Sequence, residues 1–144
     1  MNRLEFDLSV PMPVISPSAP EAVGPYVHAV RHGDVLYCSG SLPLDPGTGA
    51  LDNADLAAET SRSLTNLQAV CAAAGTGLEN ALRLTIFTTR LDAFADINDV
   101  YAAFFSDLGN GTVPARTTVG VAALPKGARV EIDALVAVPP QSNH

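Results

Sequence analysis

Residues 130–138 read Val-Glu-Ile-Asp-Ala-Leu-Val-Ala-Val and form most of a strand predicted over residues 129–138. Successive side chains of a strand point to opposite faces of its sheet. One face carries only apolar residues: Val130, Ile132, Ala134, Val136 and Val138. The other face begins acidic and ends apolar: Glu131, Asp133, Leu135 and Ala137. The first face suits a core under helices. The second is too apolar to lie wholly in water, so we expect another subunit to cover part of it.

Four other strands are predicted upstream, from β-branched residues and alternating apolar positions. They cover residues 26–30, 35–42, 81–91 and 116–122. A turn at residues 124–127 joins the last of these to the strand at 129–138. We therefore expect these two final strands to pair as a hairpin.

Two helices lie between the strands. One fits residues 55–74, where apolar side chains recur at spacings of three and four, and Asp52, Asn53 or Asp55 can cap its start. Asp92 can cap the second helix, and the Gly-Asn-Gly segment that follows it ends it. The order β-β-α-β-α-β-β predicts an α+β fold, in which one mixed sheet carries both helices on one face.

The chain of 144 residues fits a single domain, which we place at residues 12–140. Residues 1–11 form an N-terminal extension in this interpretation. Phe6, Leu8 and Val10 alternate with polar residues there, which is compatible with a short strand or with an unstructured arm. The four prolines between residues 11 and 20 argue against a central strand.

Charge and hydropathy exclude two classes of partner. Eight basic residues against fifteen acidic ones give a net charge of −7, and the basic residues are scattered singly. Nucleic-acid binders need clustered cations, so we expect no nucleic-acid partner. There is no run of about 20 apolar residues to span a membrane, and no apolar segment of a signal peptide near the N-terminus. These features predict a soluble, cytoplasmic protein with no membrane partner.

The residues that most often carry catalysis or bind metals occur here in unfavourable contexts. Cys38 and Cys71 lie among apolar residues and are interpreted as buried thiols in a reducing compartment. His28 and His32 lie on a strand and a turn with no third ligand close in sequence, so we interpret them as surface residues and predict no metal. Lys126 lies in a Pro-Lys-Gly turn, which does not provide the desolvation that a Schiff-base lysine needs.

Arg116 is the best candidate for binding a ligand. Its neighbours on the same strand face, Thr118 and Gly120, are small and leave a hollow beside a guanidinium suited to a carboxylate. Glu131 would lie on the neighbouring strand of the predicted hairpin. The alternative is a surface ion pair of Arg116 with Glu131 or Asp133, and the residues alone leave both interpretations open.

Six short motifs in order along the chain resemble those of the RidA (YjgF/YER057c/UK114) family. They are Gly24-Pro25-Tyr26, Ser39-Gly40 with Leu42-Pro43, Asn98-Asp99-Val100-Tyr101-Ala102-Ala103-Phe104-Phe105, Pro114-Ala115-Arg116-Thr117-Thr118-Val119, Leu124-Pro125-Lys126 and Val130-Glu131-Ile132-Asp133-Ala134. Each motif is weak by itself, but the ordered set is specific and covers nearly everything from Met12 to Val138.

The resemblance implies a chorismate-mutase-like fold and a homotrimer whose sheets form an inner barrel, with active sites in clefts between subunits. It also implies hydrolytic deamination, without metal or organic cofactor, of reactive enamines and imines of 2-keto acids. Examples are 2-aminoacrylate with its tautomer 2-iminopropanoate, and 2-iminobutanoate, which become the keto acid and ammonia. Two other functions stay open: a module that binds a small carboxylate without turnover, and a relative dedicated to one imine or amino-enoate intermediate of a pathway.

The resemblance also assigns roles to individual residues. Arg116 matches the arginine that holds the substrate carboxylate, and Glu131 matches the acid that positions the hydrolytic water. The other matching positions are substrate-binding: Tyr26, the carbonyl of Gly40, Asn98 and the amide of Thr118. The chain departs from the family pattern in two places: Ser41 stands where Gln is frequent, and Thr118 stands where many members carry Cys. Both departures are expected to change pocket size or polarity.

Overall fold

The computed structural model describes residues 7–109 and 111–140, which contain six strands and two α-helices. The strands are β1 (Met12–Val14), β2 (Ala29–His32), β3 (Val35–Ser41), β4 (Ala81–Thr88), β5 (Ala115–Gly120) and β6 (Val130–Ala137). The helices are α1 (Leu56–Ala73) and α2 (Phe94–Leu108). None of the helices in the described ranges is long and apolar enough to cross a membrane.

The six strands form one mixed sheet in the order β1-β2-β3-β6-β4-β5. Strand β5 pairs with β4 in parallel, and the other neighbours are antiparallel. The predicted mixed α+β sheet is confirmed, but the predicted hairpin between the last two strands is wrong because β4 lies between them. The β4-α2-β5 connection is a crossover through a helix, which places β5 on the outer side of β4. The nine residues between β5 and β6 are enough to pass over β4.

Both helices pack on the same face of the sheet, as predicted. The apolar face of β6 is buried under them at every position: Val130, Ile132, Ala134, Val136 and, just beyond the strand, Val138. From above, α1 contributes Leu64, Leu67 and Cys71 to this core, and α2 contributes Ile97 and Phe105. The opposite face of the sheet carries no helix within the described residues, and there Leu135 and Tyr37 are 37% and 47% exposed.

The two helices begin in different ways. Of the three predicted caps for α1, Asp55 is the one used, since its Oδ1 accepts the backbone N–H of Ala58 at 2.7 Å. Asp92 does not cap α2, contrary to the prediction. Its carboxylate instead pairs with the Arg90 guanidinium at 2.9 and 3.0 Å, and α2 begins after a 3₁₀ turn with no side-chain cap. The end of α2 is as predicted, at Gly109 in the left-handed conformation with φ of 78°.

Strand β1 is an element that the sequence analysis did not predict. It pairs with β2 at the edge of the sheet, where Pro13 opposite Val30 is tolerated. The part of the N-terminal extension that the structure describes, residues 7–11, forms a turn instead of a strand. There, the carbonyl of Leu8 accepts the N–H of Gly33 at 2.8 Å. Residues 1–6 of the predicted extension lie outside the described residues.

A partly buried ion pair fixes the start of β6 against α1. Glu59 is fully buried, and its carboxylate accepts the Arg129 backbone N–H at 2.8 Å and also the Arg129 Nε. The same guanidinium donates to the Asn53 carbonyl at 3.2 Å. Sequence periodicity did not reveal this pair, because its members are 70 positions apart. It anchors the chain two residues before Glu131.

Candidate active site

Arg116 lies on the outer strand β5, on the face that the helices cover. It pairs in register with the buried Leu84 of β4, and paired residues share a face of the sheet. Its Nη2 donates to Oδ1 of Asn98 on α2 at 2.8 Å. The guanidinium carbon also lies 4.8 Å from the Tyr101 ring centroid and 5.4 Å from that of Phe94. Arg116 is therefore held by one helix, through an amide oxygen and two aromatic rings.

Two buried hydroxyl groups near Arg116 have no hydrogen-bond partner within the described residues: those of Thr118 and Tyr101. Burial raises the pKa of Tyr101 to about 12, and the nearby Arg116 charge opposes the rise, so the Tyr101 hydroxyl is protonated at neutral pH.

The hollow predicted beside Arg116 is partly filled. A Cβ added to Gly120 would lie 3.2 Å from the Leu91 side chain, so Leu91 covers that end of the strand.

Glu131 lies on the opposite, helix-free face of β6, paired with Phe87 of β4. A β-bulge between Cys38 and Ser41 of β3 places Gly40 directly beneath its side chain. A Cβ built on Gly40 would lie only 2.8 Å from Glu131 Cδ and 3.1 Å from Cγ, so only glycine leaves room for the carboxylate in this position. Burial, and secondarily the charge of Asp133, raises the pKa of Glu131. A raised pKa suits a carboxylate that takes a proton near neutral pH.

Tyr26 lies at the end of a loop held in place by His28. The His28 Nδ1 accepts the N–H of Ser16 at 2.9 Å, so its Nε2 carries the proton and donates to the Pro20 carbonyl at 2.8 Å. His28 is therefore half-buried and structural, not a surface residue as predicted, whereas His32 is exposed as predicted. Tyr26 is 43% exposed, and its hydroxyl accepts the N–H of Val23 at 3.3 Å.

A cavity of about 40 Å³ adjoins both Tyr26 and Gly40. Its polar lining includes Ser39, Ser41 and Asn66, and its volume is enough for one or two water molecules. These polar side chains already have protein partners. Ser41 Oγ, for example, donates to the Ser63 carbonyl at 2.8 Å.

The predicted site residues thus form two groups on this chain. One group lies on the helix side of β5: Arg116, Asn98 and Thr118. The other lies at β3 and β6: Tyr26, Gly40 and Glu131. The register places Arg116 and Glu131 two strands and about three residues apart, which is about 14 Å between Cα atoms, with their side chains on opposite faces. Ion pairs of Arg116 with Glu131 or Asp133 within the chain, the alternative interpretation, are therefore excluded.

The other candidate residues from the sequence lie in surroundings that do not favour catalysis or metal binding. The thiols of Cys38 on β3 and Cys71 on α1 are free and close enough to interact, a proximity that sequence did not show; Cys71 is buried as predicted, whereas Cys38 is only partly buried. The neighbouring Cys38 thiol, and then burial, raise the pKa of the Cys71 thiol, which disfavours a thiolate. Lys126 is exposed in its turn. Over residues 7–109 and 111–140, no three His, Cys, Asp or Glu side chains are grouped closely enough to hold a metal ion.

One mixed sheet with two helices on one face defines a small α+β protein, and Arg116 on its edge strand is held under the second helix. The model of the Endoribonuclease L-PSP family matches residues 16–138. This match covers well over half of the chain, so the protein belongs to that family, the RidA/YjgF family. The family resemblance seen in the sequence motifs is confirmed.

Curated relatives carry several names. A RutC family protein, y4sK, of Sinorhizobium fredii is 46% identical over 126 residues, covering 88% of this chain and 97% of its own. Protein DfrA of Myxococcus xanthus is 45% identical, covering 83% and 90%. The 2-iminobutanoate/2-iminopropanoate deaminase of Salmonella typhimurium is 41% identical over 122 residues, covering 85% and 94%.

Solved structures agree with the fold. The yjgF gene product of E. coli superposes with a TM-score of 0.83 at 40% identity, covering 88% of this chain and 98% of its own. E. coli TdcF with bound serine superposes with a TM-score of 0.82 at 39% identity and the same coverage.

Proposed function

We propose that this protein hydrolyses 2-imino acids and their enamine tautomers, such as 2-iminopropanoate and 2-iminobutanoate, to 2-keto acids and ammonia. The observation that carries the proposal is the state of Arg116: it is held in place by Asn98 and two aromatic rings, and it has no carboxylate partner in the described chain. Relatives at 41% identity named for imine deamination support the same reaction.

Arg116 binds the substrate carboxylate in this mechanism. A guanidinium has five N–H donors, of which Asn98 accepts one, so a two-pronged interaction with a carboxylate remains available. Binding the carboxylate fixes the adjacent C=N carbon relative to the attacking water. This positioning accounts for much of the catalysis, because a protonated imine is already electrophilic.

Glu131 acts as the general base. It removes a proton from water while the water oxygen bonds to the imine carbon, and the resulting tetrahedral aminoalcohol carries both OH and NH₂ groups. Glu131 then gives this proton to the nitrogen. The C–N bond breaks as the C=O bond forms, and the proton of the OH group passes through Glu131 to the departing ammonia, which leaves as ammonium ion. Water and protonated imine are thus converted to keto acid and ammonium ion, and Glu131 ends the cycle as a carboxylate.

The complete site requires two copies of the chain in this proposal, since Arg116 and Glu131 lie on opposite faces of one sheet. Exposed apolar side chains lie close to both groups and support an interface there. Phe94 contacts Arg116, and Val113 comes three residues before it; Val23 is hydrogen-bonded to Tyr26, and Ile15 lines a pocket with Tyr26. We propose a homotrimer, which light scattering should detect as roughly three times the monomer mass. A monomer at micromolar concentration would refute both the trimer and the shared site.

The family description names an endoribonuclease, but we propose a small-molecule substrate for this chain. The net charge of −7 and the eight dispersed basic residues do not favour binding to an RNA backbone. The proposed mechanism uses no metal and no organic cofactor.

The test is direct turnover of freshly generated 2-iminopropanoate and 2-iminobutanoate, with melting temperature measured on the same preparations. Arg116→Lys keeps the positive charge but loses the planar pair of N–H donors that binds both carboxylate oxygens. Because each charge-assisted hydrogen bond contributes about 1.5–3 kcal/mol, we expect kcat/KM to fall at least about tenfold. Normal turnover by a folded Arg116→Lys protein would refute the proposed role of Arg116 in binding the substrate carboxylate.

Glu131→Gln keeps the shape of the side chain but removes the base, so kcat should fall more than the affinity for the product 2-oxobutanoate. Its raised pKa means that the folded chain binds this proton more tightly than the unfolded chain does, so the ionised carboxylate lowers stability at neutral pH. Glu131→Gln should therefore not lower the melting temperature at pH 7.

If neither imine is turned over while 2-oxobutanoate binds, the binding module or a pathway-dedicated relative replaces the deaminase as the proposed function. Other relatives are named RutC family protein and DfrA and not imine deaminase, which is a reason to test the pathway-dedicated alternative as well.

A further inference from the structure

Phe94, Asn98 and Tyr101 form one stripe of α2 facing Arg116. Their spacing of four and three residues places them on the same side of the helix. The Asn98 amide oxygen takes one N–H of the guanidinium, and the two rings lie within cation–π distance of its central carbon. We call these two rings the aromatic cradle.

We propose that the aromatic cradle, and Tyr101 above all, is the positioning element that orients Arg116 for a carboxylate ligand. This inference rests on the proposed function. Tyr101 is the stronger partner for two reasons: its ring is 4.8 Å from the guanidinium carbon, against 5.4 Å for Phe94, and it is 6% exposed, against 40%. Cation–π attraction is stronger where the ring is removed from water.

The aromatic cradle can hold Arg116 in place without neutralising its charge, which an ion pair cannot do. A long arginine side chain loses rotamer freedom when it binds, and a preorganised fork loses less. An acidic partner would hold Arg116 equally well, but it would neutralise the guanidinium and compete with the ligand carboxylate. None of the ion pairs among the described residues includes Arg116. Aromatic faces and a neutral amide hold the side chain while leaving its positive charge for the ligand.

Three variants test this role by their effect on KM for 2-iminobutanoate. Tyr101→Leu removes the ring, Tyr101→Phe keeps it, and Phe104→Leu is the matched control, because Phe104 lies on the same helix with its ring against Phe105. We expect Tyr101→Leu to raise KM about tenfold and to lower kcat as well, since a misoriented Arg116 binds the carboxylate more weakly and places the C=N carbon less well for the attacking water. Tyr101→Phe and Phe104→Leu should stay within about twofold of the wild type. Equal KM values for Tyr101→Leu and Phe104→Leu would overturn the proposal.

A rescue experiment separates orientation from general loss of packing. In Arg116→Ala, added guanidinium ion should bind the empty cradle and restore part of the turnover. Adding Tyr101→Leu to this variant should raise the guanidinium concentration for half-maximal rescue about tenfold, because the ring that binds the ion is gone. Adding Phe104→Leu instead should leave that concentration unchanged. An equal requirement with and without the Tyr101 ring would refute the cradle.

The failure of this inference is distinguishable from failure of the proposed function. If the wild-type protein turns over imines and Arg116→Lys is impaired but Tyr101→Leu is not, the deaminase stands and the cradle fails. If the wild-type protein turns over neither imine, calorimetric affinity for 2-oxobutanoate is measured on the same variants. A tenfold weaker affinity of Tyr101→Leu alone would support the cradle, and equal affinities would overturn it.

Discussion

Gly40→Ala tests how closely the position of the Glu131 carboxylate is set. The methyl group would lie 2.8 Å from Glu131 Cδ, whereas ordinary contacts of a Cβ begin near 3.4 Å, so the carboxyl carbon must move by about 0.6 Å and its nearer oxygen by more. A misplacement of about 1 Å at a reacting group can cost about 100-fold. We therefore expect Gly40→Ala to lower kcat by about 10- to 100-fold.

The backbone itself should accept this change. Gly40 is not among the glycines with positive φ, so alanine introduces no left-handed strain, and the flexible Glu131 side chain can swing away without unfolding the sheet. The melting temperature should stay close to that of the wild type. Gly47→Ala is the matched control, because Gly47 also lacks a positive φ and lies in an exposed turn with only the Asp45 carboxylate nearby.

The assay combines imine turnover with 2-oxobutanoate affinity. Displacement of the base should lower kcat and leave the affinity nearly unchanged, whereas simple blocking of the pocket would weaken the affinity. Glu131→Gln should cost little more in the Gly40→Ala background than Gly40→Ala does alone, since both changes act on one carboxylate. A well-folded Gly40→Ala protein with wild-type kcat would refute the reasoning.

Three further predictions concern pH, burial and capping. Asp133→Asn removes one of the two causes that raise the pKa of Glu131, so the base stays ionised to lower pH and the acidic limb of the kcat/KM profile should move down; an unmoved limb would contradict this. The Arg129 side chain is itself 32% exposed, so Glu59→Ala, which removes its buried partner, should lower the free energy of unfolding by about 1–3 kcal/mol in urea titration, with Glu59→Gln milder; a loss under about 0.5 kcal/mol would be inconsistent with the pair. Asp55→Ala removes the cap of α1 and should cost about 1 kcal/mol, lowering the melting temperature without changing turnover; an unchanged melting temperature would contradict its role as the cap.

Some features of the site had no signal in the sequence. The contact of Gly40 with Glu131 depends on a β-bulge, and nothing in Ser39-Gly40-Ser41 announces which strand lies alongside it. Asp92 does not cap α2 because a 3₁₀ turn at Leu91–Ala93 moves the N-cap position to Ala93, and its carboxylate pairs with Arg90 instead. The missed strand β1 is only three residues long and contains a proline, so its own sequence has little strand character.

The sequence by itself determined the helices, most of the strands and the buried face of β6. Periods of 2 and 3.6 residues are local properties of the chain, so residues 130–138 and 55–74 reveal their structure and their apolar faces without any partner. The ordered motifs likewise identified the family and the residues to examine.

Only the tertiary structure decided which strands are neighbours, and the geometry of the site follows from that choice. Backbone hydrogen bonds between strands form equally well for many pairings, so the insertion of β4 between β5 and β6 depends on the helix crossover and on the packing of the whole core. This insertion separates Arg116 from Glu131 and turns them to opposite faces of the sheet. It also places Arg116 under α2, where the rings of Phe94 and Tyr101 surround it, because contacts between residues distant in sequence exist only once the sheet has closed under its helices.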